Sequence, residues 1–132
     1  MKHPNAEELL QKIMARDPRY ASEAYVFVRA GLDYTVRRLE KPRHVSGQEL
    51  LDGIREFALT EFGPMTRTVL KGWGLQRTED VGEIVFNMVE TGLLGKTEKD
   101  SRADFAAGYD FDEAFCKPFR PAAVPRAGKR PN

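Results

Sequence analysis

The side chains that could carry out catalysis are few and far apart in this chain. Only two histidines occur, His3 and His44, whereas a transition-metal site needs more imidazole or thiolate ligands than the chain offers. His44 could serve as the base for a nucleophilic Ser46 or Cys116. Ser46 is better explained as a helix cap, and Cys116, which lies among aromatic residues, as an inert buried thiol. The alternative for His44 is a turn residue that hydrogen-bonds locally.

A second group of reactive side chains is acidic and consists of Asp110, Asp112 and Glu113. Three carboxylates could hold a hard cation, but the ligand spacing and the glycine of a calcium loop are missing. The cluster is therefore more typical of a solvated turn or helix start. The chain also lacks the Gly-x-x-x-x-Gly-Lys-Ser/Thr and Gly-x-Gly-x-x-Gly loops that bind nucleotides. We expect no enzymatic activity, no bound metal and no cofactor.

The composition indicates an ordinary globular protein. The chain has 132 residues, of which 41% are hydrophobic and 31% charged, enough to bury one core. No apolar run approaches the ~20 residues that cross a bilayer. The N-terminus has neither the apolar core of a secretion signal nor the Arg/Ser bias of a transit peptide, and one cysteine cannot form an internal disulfide. We expect a cytoplasmic protein with no membrane partner.

The formal net charge of +1 hides an asymmetry along the chain. Five of the 21 basic residues and none of the 20 acidic ones follow Cys116, which leaves 16 basic against 20 acidic residues before it. Four prolines deny residues 117–132 a helix, so we expect one helical domain over 1–116 followed by an extended, mobile tail. The tail is either a solvated terminus or an electrostatic arm that contacts RNA, DNA or an acidic partner. In the second case its contacts are Arg126, Lys129 and Arg130.

Five helices are expected in the body of the chain. Capping boxes at Asn5 and Ser46 predict the starts of the first and third helices, and Asp17-Pro18 ends the first. The second, about 22–41, is apolar most of the way round and is predicted to be the central, buried helix. A fourth helix occupies about 64–71, and the fifth runs from Thr78 to a left-handed Gly92.

A basic cluster follows the second helix and consists of Arg37, Arg38, Lys41 and Arg43. Cations at the carboxyl end of a helix are favourable because that end of the helix dipole carries partial negative charge. The alternative is an anion or phosphate contact, assisted by His44.

After Gly92 the pattern changes from helical to extended. Residues 93–98 and 102–105 are predicted to pair as a small β-hairpin across the turn Lys99-Asp100-Ser101. The alternative is a continuing loop in which Ser101 and Asp104 begin another short helix. With the hairpin, residues 46–111 form a winged-helix-like arrangement within a mainly α fold.

Most of the chain, from about Tyr25 to Phe115, resembles a small uncharacterised bacterial protein family of the planctomycete and verrucomicrobial type. The resemblance rests on HVSGQELLDGIREFALTEFGPMTRTVLKGWG, DVGEIVFNMVETGLLGKTEKDSRADF and YDF. That family has no established activity, so the resemblance implies no function. A weaker resemblance links residues 46–111 to winged-helix regulators, through Gly92, Leu93, Leu94, Lys96, Asp100 and Arg102. It implies a fold whose members include many protein-binding domains.

The outer face of the predicted fifth helix argues against DNA recognition. Readout of a major groove needs Arg, Lys, Asn or Gln at base edges and cations at phosphates. This face offers Glu79, Glu83, Asn87 and Glu90. We therefore expect a non-enzymatic interaction module in which this acidic face, or the wing, docks a protein partner or a like subunit. The alternative is a nucleic-acid-binding regulator or RNA-associated factor that contacts phosphate through Lys96, Lys99, Arg102, the 37–43 cluster or the tail.

Overall fold

The structure is a computed structural model that describes residues 5–41, 43–95, 102–106 and 108–119. Its α-helices are α1 (Ala6–Arg16), α2 (Ser22–Arg37), α3 (Gly47–Phe62), α4 (Thr66–Gly72), α5 (Thr78–Thr91) and the short α6 (Phe111–Phe115). Three 3₁₀ segments cover Gly63–Met65, Arg102–Phe105 and Lys117–Phe119. The prediction of a mainly helical protein is confirmed.

The helix ends follow the capping chemistry of the sequence. Asn5 Oδ1 accepts the Glu8 amide at 2.8 Å, and Ser46 Oγ accepts the Glu49 amide at 3.2 Å. Both capping boxes are complete. Gly92 ends α5 with φ 89°, the left-handed conformation predicted for it. Local hydrogen bonding thus sets the starts of α1 and α3, and a left-handed glycine sets the end of α5.

The predicted wing is wrong. Among the described residues none lies in a β-strand, and Arg102–Phe105, the proposed second strand, is a 3₁₀ helix. The carbonyl of Phe105 accepts a hydrogen bond from the Thr78 hydroxyl at 2.6 Å, and the carbonyl of Asp104 accepts one from Gln48. Side chains of α5 and α3 thus satisfy backbone groups that a hairpin would have paired. Residues 96–101 lie outside the described residues. The predicted winged-helix-like arrangement required the hairpin, so it is wrong as well.

The buried helix is α5, whereas the sequence predicts α2 for that role. Seven of the fourteen residues of α5 are buried, and the helix packs against α1, α2, α3 and the 102–105 segment. α2 buries one side against α3 and α5, but Val26, in the middle of its other side, is 63% exposed. α2 also ends at Arg37 rather than near Lys41. The outer side of α2 is therefore surface.

α2 and α3 approach each other closely, and two glycines make this possible. A Cβ at Gly31 would lie 2.7 Å from Ile54 Cγ1. A Cβ at Gly53 would overlap the hydroxyl of Thr35 and lie 2.8 Å from Thr35 Cβ. Thr35 is fixed there because its hydroxyl donates to the Gly31 carbonyl at 2.7 Å. This glycine crossing sets the position of α2 on the body of the protein.

The turn between α1 and α2 is held against the turn between α4 and α5. The amide of Ala21 donates to the Trp73 carbonyl at 3.0 Å. Gly74, at φ 94°, allows this approach, since a Cβ there would lie 2.5 Å from the Arg19 carbonyl oxygen. The Tyr20 hydroxyl donates to Asp80 Oδ1 at 2.7 Å. These bonds place the α1–α2 turn beside the first half of α5.

Candidate interaction surface

The predicted docking face of α5 is largely covered by the N-terminal part of the chain. Asn87 is only 6% exposed, and its Nδ2 donates to Asp17 Oδ2 and to the Tyr25 phenol oxygen, both at 3.0 Å. Asp17 also accepts two hydrogen bonds from the guanidinium of Arg19, and this pairing holds the pKa of the Asp17 carboxyl well below its usual range. Asn87 is therefore an internal structural residue in this fold.

The glutamates of the same face take part in ion pairs within the chain. Glu83 lies 3.2 Å from Arg19 Nη2 and 2.8 Å from Arg102 Nε. Glu90 is exposed and lies 3.8 Å from Arg16, and Glu79 is half-buried. The acidic outer side of α5 is thus matched by arginines on α1, the α1–α2 turn and the 102–105 segment.

Three of the predicted basic contacts, Arg38, Arg43 and Arg102, are paired with carboxylates in the described part of the chain. Arg38 Nη1 lies 2.6 Å from Glu56, and the guanidinium of Arg43 forms two bonds with the carboxylate of Glu49, at 2.9 and 2.6 Å. Arg37 and His44 are exposed. Lys96, Lys99, Arg126, Lys129 and Arg130 lie outside the described residues. Contact of the wing residues or the tail with nucleic acid stays a prediction.

The pairing of Arg43 with Glu49 is testable by titration. The Arg43 guanidinium, helped by the Ser46 amide, lowers the pKa of the Glu49 carboxyl to about 2. We expect Arg43→Gln to raise this pKa toward the usual 4.5, as measured by NMR of the side-chain carboxyl carbon. Arg37→Gln is the control and should leave it unchanged. An unchanged value in Arg43→Gln would place Arg43 in solvent, free for an external anion.

The residues considered for catalysis have structural partners. Ser46 Oγ is occupied as the cap of α3. Asp110 caps α6, Asp112 lies 3.3 Å from Arg67, and Glu113 lies 3.2 Å from Lys117. The acidic cluster is thus the helix start that the sequence favours. The described residues contain no group of three or more His, Cys, Asp or Glu side chains that could hold a metal ion.

The outer side of α2 is a continuous exposed stripe. Apart from the adjacent pair at its start, its members recur every three or four residues, the spacing that places side chains on one helical face. They are Ser22, Glu23, Val26, Arg29, Asp33 and Arg37. Val26 is the most exposed large hydrophobic side chain in the described residues. We call this set the α2 stripe.

Two apolar grooves flank Val26, one on each side of the α2 stripe. The first has a volume of about 300 Å³, and its apolar lining includes Leu10, Tyr25, Met88 and Leu93 from α1, α2 and the end of α5. The second, about 290 Å³, is lined by Phe27, Ala30, Phe57, Phe62 and Trp73 from α2, α3 and the turn after α4. Val26 lines both grooves and forms the ridge between them.

The floor of the second groove is a set of packed aromatic rings. Phe27 lies 5.6 Å from Phe57 and 5.7 Å from Trp73, measured between ring centroids, and Phe62 lies 5.7 Å from Trp73. Aromatic pairs at such distances hold each other in place. Trp73 is half-buried, so it packs between helices and still presents surface to the groove. The floor is preformed and does not need a partner to assemble it.

The sequence analysis missed the α2 stripe because it took α2 to be apolar most of the way round. A signal was present in the polar residues. Glu23, Arg29, Asp33 and Arg37 recur at helical spacing and mark the outer side, and Val26 falls within that side. This pattern places Val26 on the exposed side of the helix.

No protein-family model, no curated protein and no solved structure matches this chain. The resemblance to the planctomycete and verrucomicrobial family therefore stays a prediction. Of the helices in the described residues, none has both the length and the apolar character needed to span a membrane.

Proposed function

We propose that this chain is a non-enzymatic interaction module that docks an amphipathic helix of a protein partner on the α2 stripe. The observation that carries the proposal is Val26, which is 63% exposed between two apolar grooves, whereas the other large apolar side chains of α2 are buried or half-buried. Val26 joins the apolar linings of the two grooves into one surface, and contiguous apolar surfaces often mark binding sites when they are large. The proposal keeps the interaction role expected from the sequence and moves it from α5 to α2.

A helix suits this surface better than an extended peptide. The ridge of Val26 and the grooves on either side follow the axis of α2, and helices pack by placing the side-chain ridge of one into the groove of another. A partner helix that presents an apolar side chain at the centre of the contact would place it in one of these grooves. In contrast, β-strand addition needs an exposed sheet edge, and the described residues contain no strand.

Site-specific photo-cross-linking tests this proposal. A photoreactive amino acid placed at Val26, in the chain expressed in its native cell, should give a discrete cross-linked protein, because residue 26 lies at the centre of the contact. The matched control is the same amino acid at Lys71, which is exposed at the end of α4 and should give none. Ala30→Glu, which places a charge in the second groove, should abolish the adduct without unfolding the chain.

Equal cross-linking at positions 26 and 71, or an adduct that survives Ala30→Glu, would reject docking on α2. The mass of the adduct identifies the partner, so the result also distinguishes a second copy of this chain from a different protein.

A further inference from the structure

Two of the four charges of the α2 stripe lie at equal distances on either side of Val26. Glu23 lies three residues before it and Arg29 three residues after it, both exposed. If two copies of α2 pack antiparallel across a two-fold axis that passes beside Val26, through one of the flanking grooves, Val26 of each copy lies in that groove of the other, and Glu23 of each copy lies opposite Arg29 of the other. If they pack parallel, Glu23 faces Glu23 and Arg29 faces Arg29. This pair of charges is therefore complementary to itself in the antiparallel orientation alone.

The shape of the surface has the same property. A two-fold interface uses one patch on both subunits, so that patch must contain both the projecting part and the part that receives it. The α2 stripe has both, because Val26 is a ridge and an apolar groove lies on either side of it. Because α2 begins at Ser22, two copies packed in this way overlap over residues 22–30, about 12 Å at 1.5 Å per residue, which provides about two turns of contact.

We propose that the partner of the α2 stripe is the α2 stripe of a second copy of this chain, packed antiparallel about Val26. This inference rests on the proposed function, since it names the helix that docks there. Apolar contact between Val26 and the groove of the other copy supplies the attraction. The two Glu23–Arg29 pairs at the edges select the orientation, because edge charges contribute more to specificity than to affinity.

The geometry around Arg29 is compatible with this second role. Its guanidinium is about half exposed, lies 3.9 Å from Asp33 and donates to the Leu93 carbonyl at 3.3 Å. Neither contact is short, so the side chain can reach a carboxylate on another copy without losing a strong internal pair. Glu23 is bonded only to its neighbour Ser22, at 3.2 Å, within the described residues.

Sedimentation velocity of the purified full chain, from low micromolar to millimolar concentration, tests the inference. The wild type should show a reversible monomer–dimer equilibrium. Val26→Lys should weaken it by more than about tenfold, because an ammonium group would be buried without a partner. Glu23→Arg and Arg29→Glu should each weaken it by roughly threefold to tenfold, since each change replaces two attractive pairs by two repulsive ones.

The double variant Glu23→Arg/Arg29→Glu is the decisive one. It restores opposite charges across an antiparallel two-fold axis, so its dimer should be as stable as that of the wild type. If the single substitutions weakened the dimer only by destabilising the monomer, combining them would not restore it. Thermal unfolding of each variant measures the stability of the monomer separately. A wild type that stays monomeric at millimolar concentration, a dimer insensitive to Val26→Lys, or a double variant weaker than both single ones would overturn the inference.

These results are separable from the test of the proposed function. A monomeric wild type that still cross-links through residue 26 to a different protein would reject the second copy and leave docking on α2 intact. Absence of both dimer and adduct would reject the two together.

Discussion

Gly53→Ala is expected to lower the free energy of unfolding by about 3 kcal/mol, although alanine is intrinsically the better helix former by about 1 kcal/mol. The added methyl group would overlap the Thr35 hydroxyl and crowd its Cβ at 2.8 Å. Thr35 is buried and bonded to Gly31, so it cannot turn away without losing that bond. α2 and α3 must then separate, which opens the core along their crossing. Urea denaturation measures the change.

Gly72→Ala is the matched control for this substitution. Gly72 is also helical, at the end of α4, and nothing lies within 4 Å of a Cβ built there. It should be neutral or stabilising by up to about 1 kcal/mol. Combining Gly53→Ala with Thr35→Ala should cost less than the sum of the two, because the second change removes the overlapping hydroxyl. Equal stability of the Gly53 and Gly72 variants would show that the helices are not in close contact.

Asn87→Ala is expected to cost about 2–3 kcal/mol, because it removes one donor shared by a carboxylate and a phenol in a buried position. Asp17 would lose the amide bond to Oδ2, and Tyr25 would lose the partner of its oxygen. Glu90→Ala lies one turn further along the same side of α5 but is exposed, so it should change stability by less than about 0.5 kcal/mol. Thermal or urea unfolding at neutral pH measures both.

The loss of unfolding free energy caused by Asn87→Ala should be greater at neutral pH than at acidic pH. The pKa of Asp17 lies below its ordinary 3.8 in the folded protein, chiefly through Arg19 and further through Asn87. A depressed carboxyl pKa stabilises the fold above the unfolded pKa, and the benefit disappears as the pH falls through the folded value. The difference between wild type and Asn87→Ala should therefore be largest above pH ~4 and shrink below it. A difference independent of pH would mean that Asn87 does not contact the carboxylate.

Local chemistry predicted the helices of this protein well. The capping boxes at Asn5 and Ser46 act through atoms within four residues of each other, and the left-handed Gly92 acts through its own backbone. Such features depend on little beyond the immediate sequence. For the same reason, the helical interpretation needed few corrections in the described residues up to Gly92.

Contacts between distant residues account for the errors. The segment Arg102–Phe105 was expected to pair as a strand, but Gly82 leaves room for Phe105 against α5, and Thr78 donates a hydrogen bond to the Phe105 carbonyl. Those two residues of α5 decide the conformation of a segment more than twenty positions away. The spacing of polar and apolar residues within the segment carries no information about these contacts with α5.

The candidate surface was misplaced for a related reason. Glu83 resembles a solvent-facing residue, yet Arg19 and Arg102 lie against it, whereas Val26 resembles a core residue and is exposed. Charged residues can be internal when their partners come from other elements, and an apolar residue can be external on a helix that packs on one side only. A pattern in one sequence shows which residues are polar, but it does not show which residues from other helices will lie against them.

The glycine crossing of α2 and α3 also bears on how this fold would change in the course of evolution. Most core positions accept another apolar side chain of similar volume, but Gly31 and Gly53 have no room for any larger residue. Two chains that share this fold could differ at nearly every other position and still need small residues at these two. We expect the spacing of that pair, together with the hydroxyl residue at position 35, to persist in distant relatives whose remaining sequence has diverged beyond recognition.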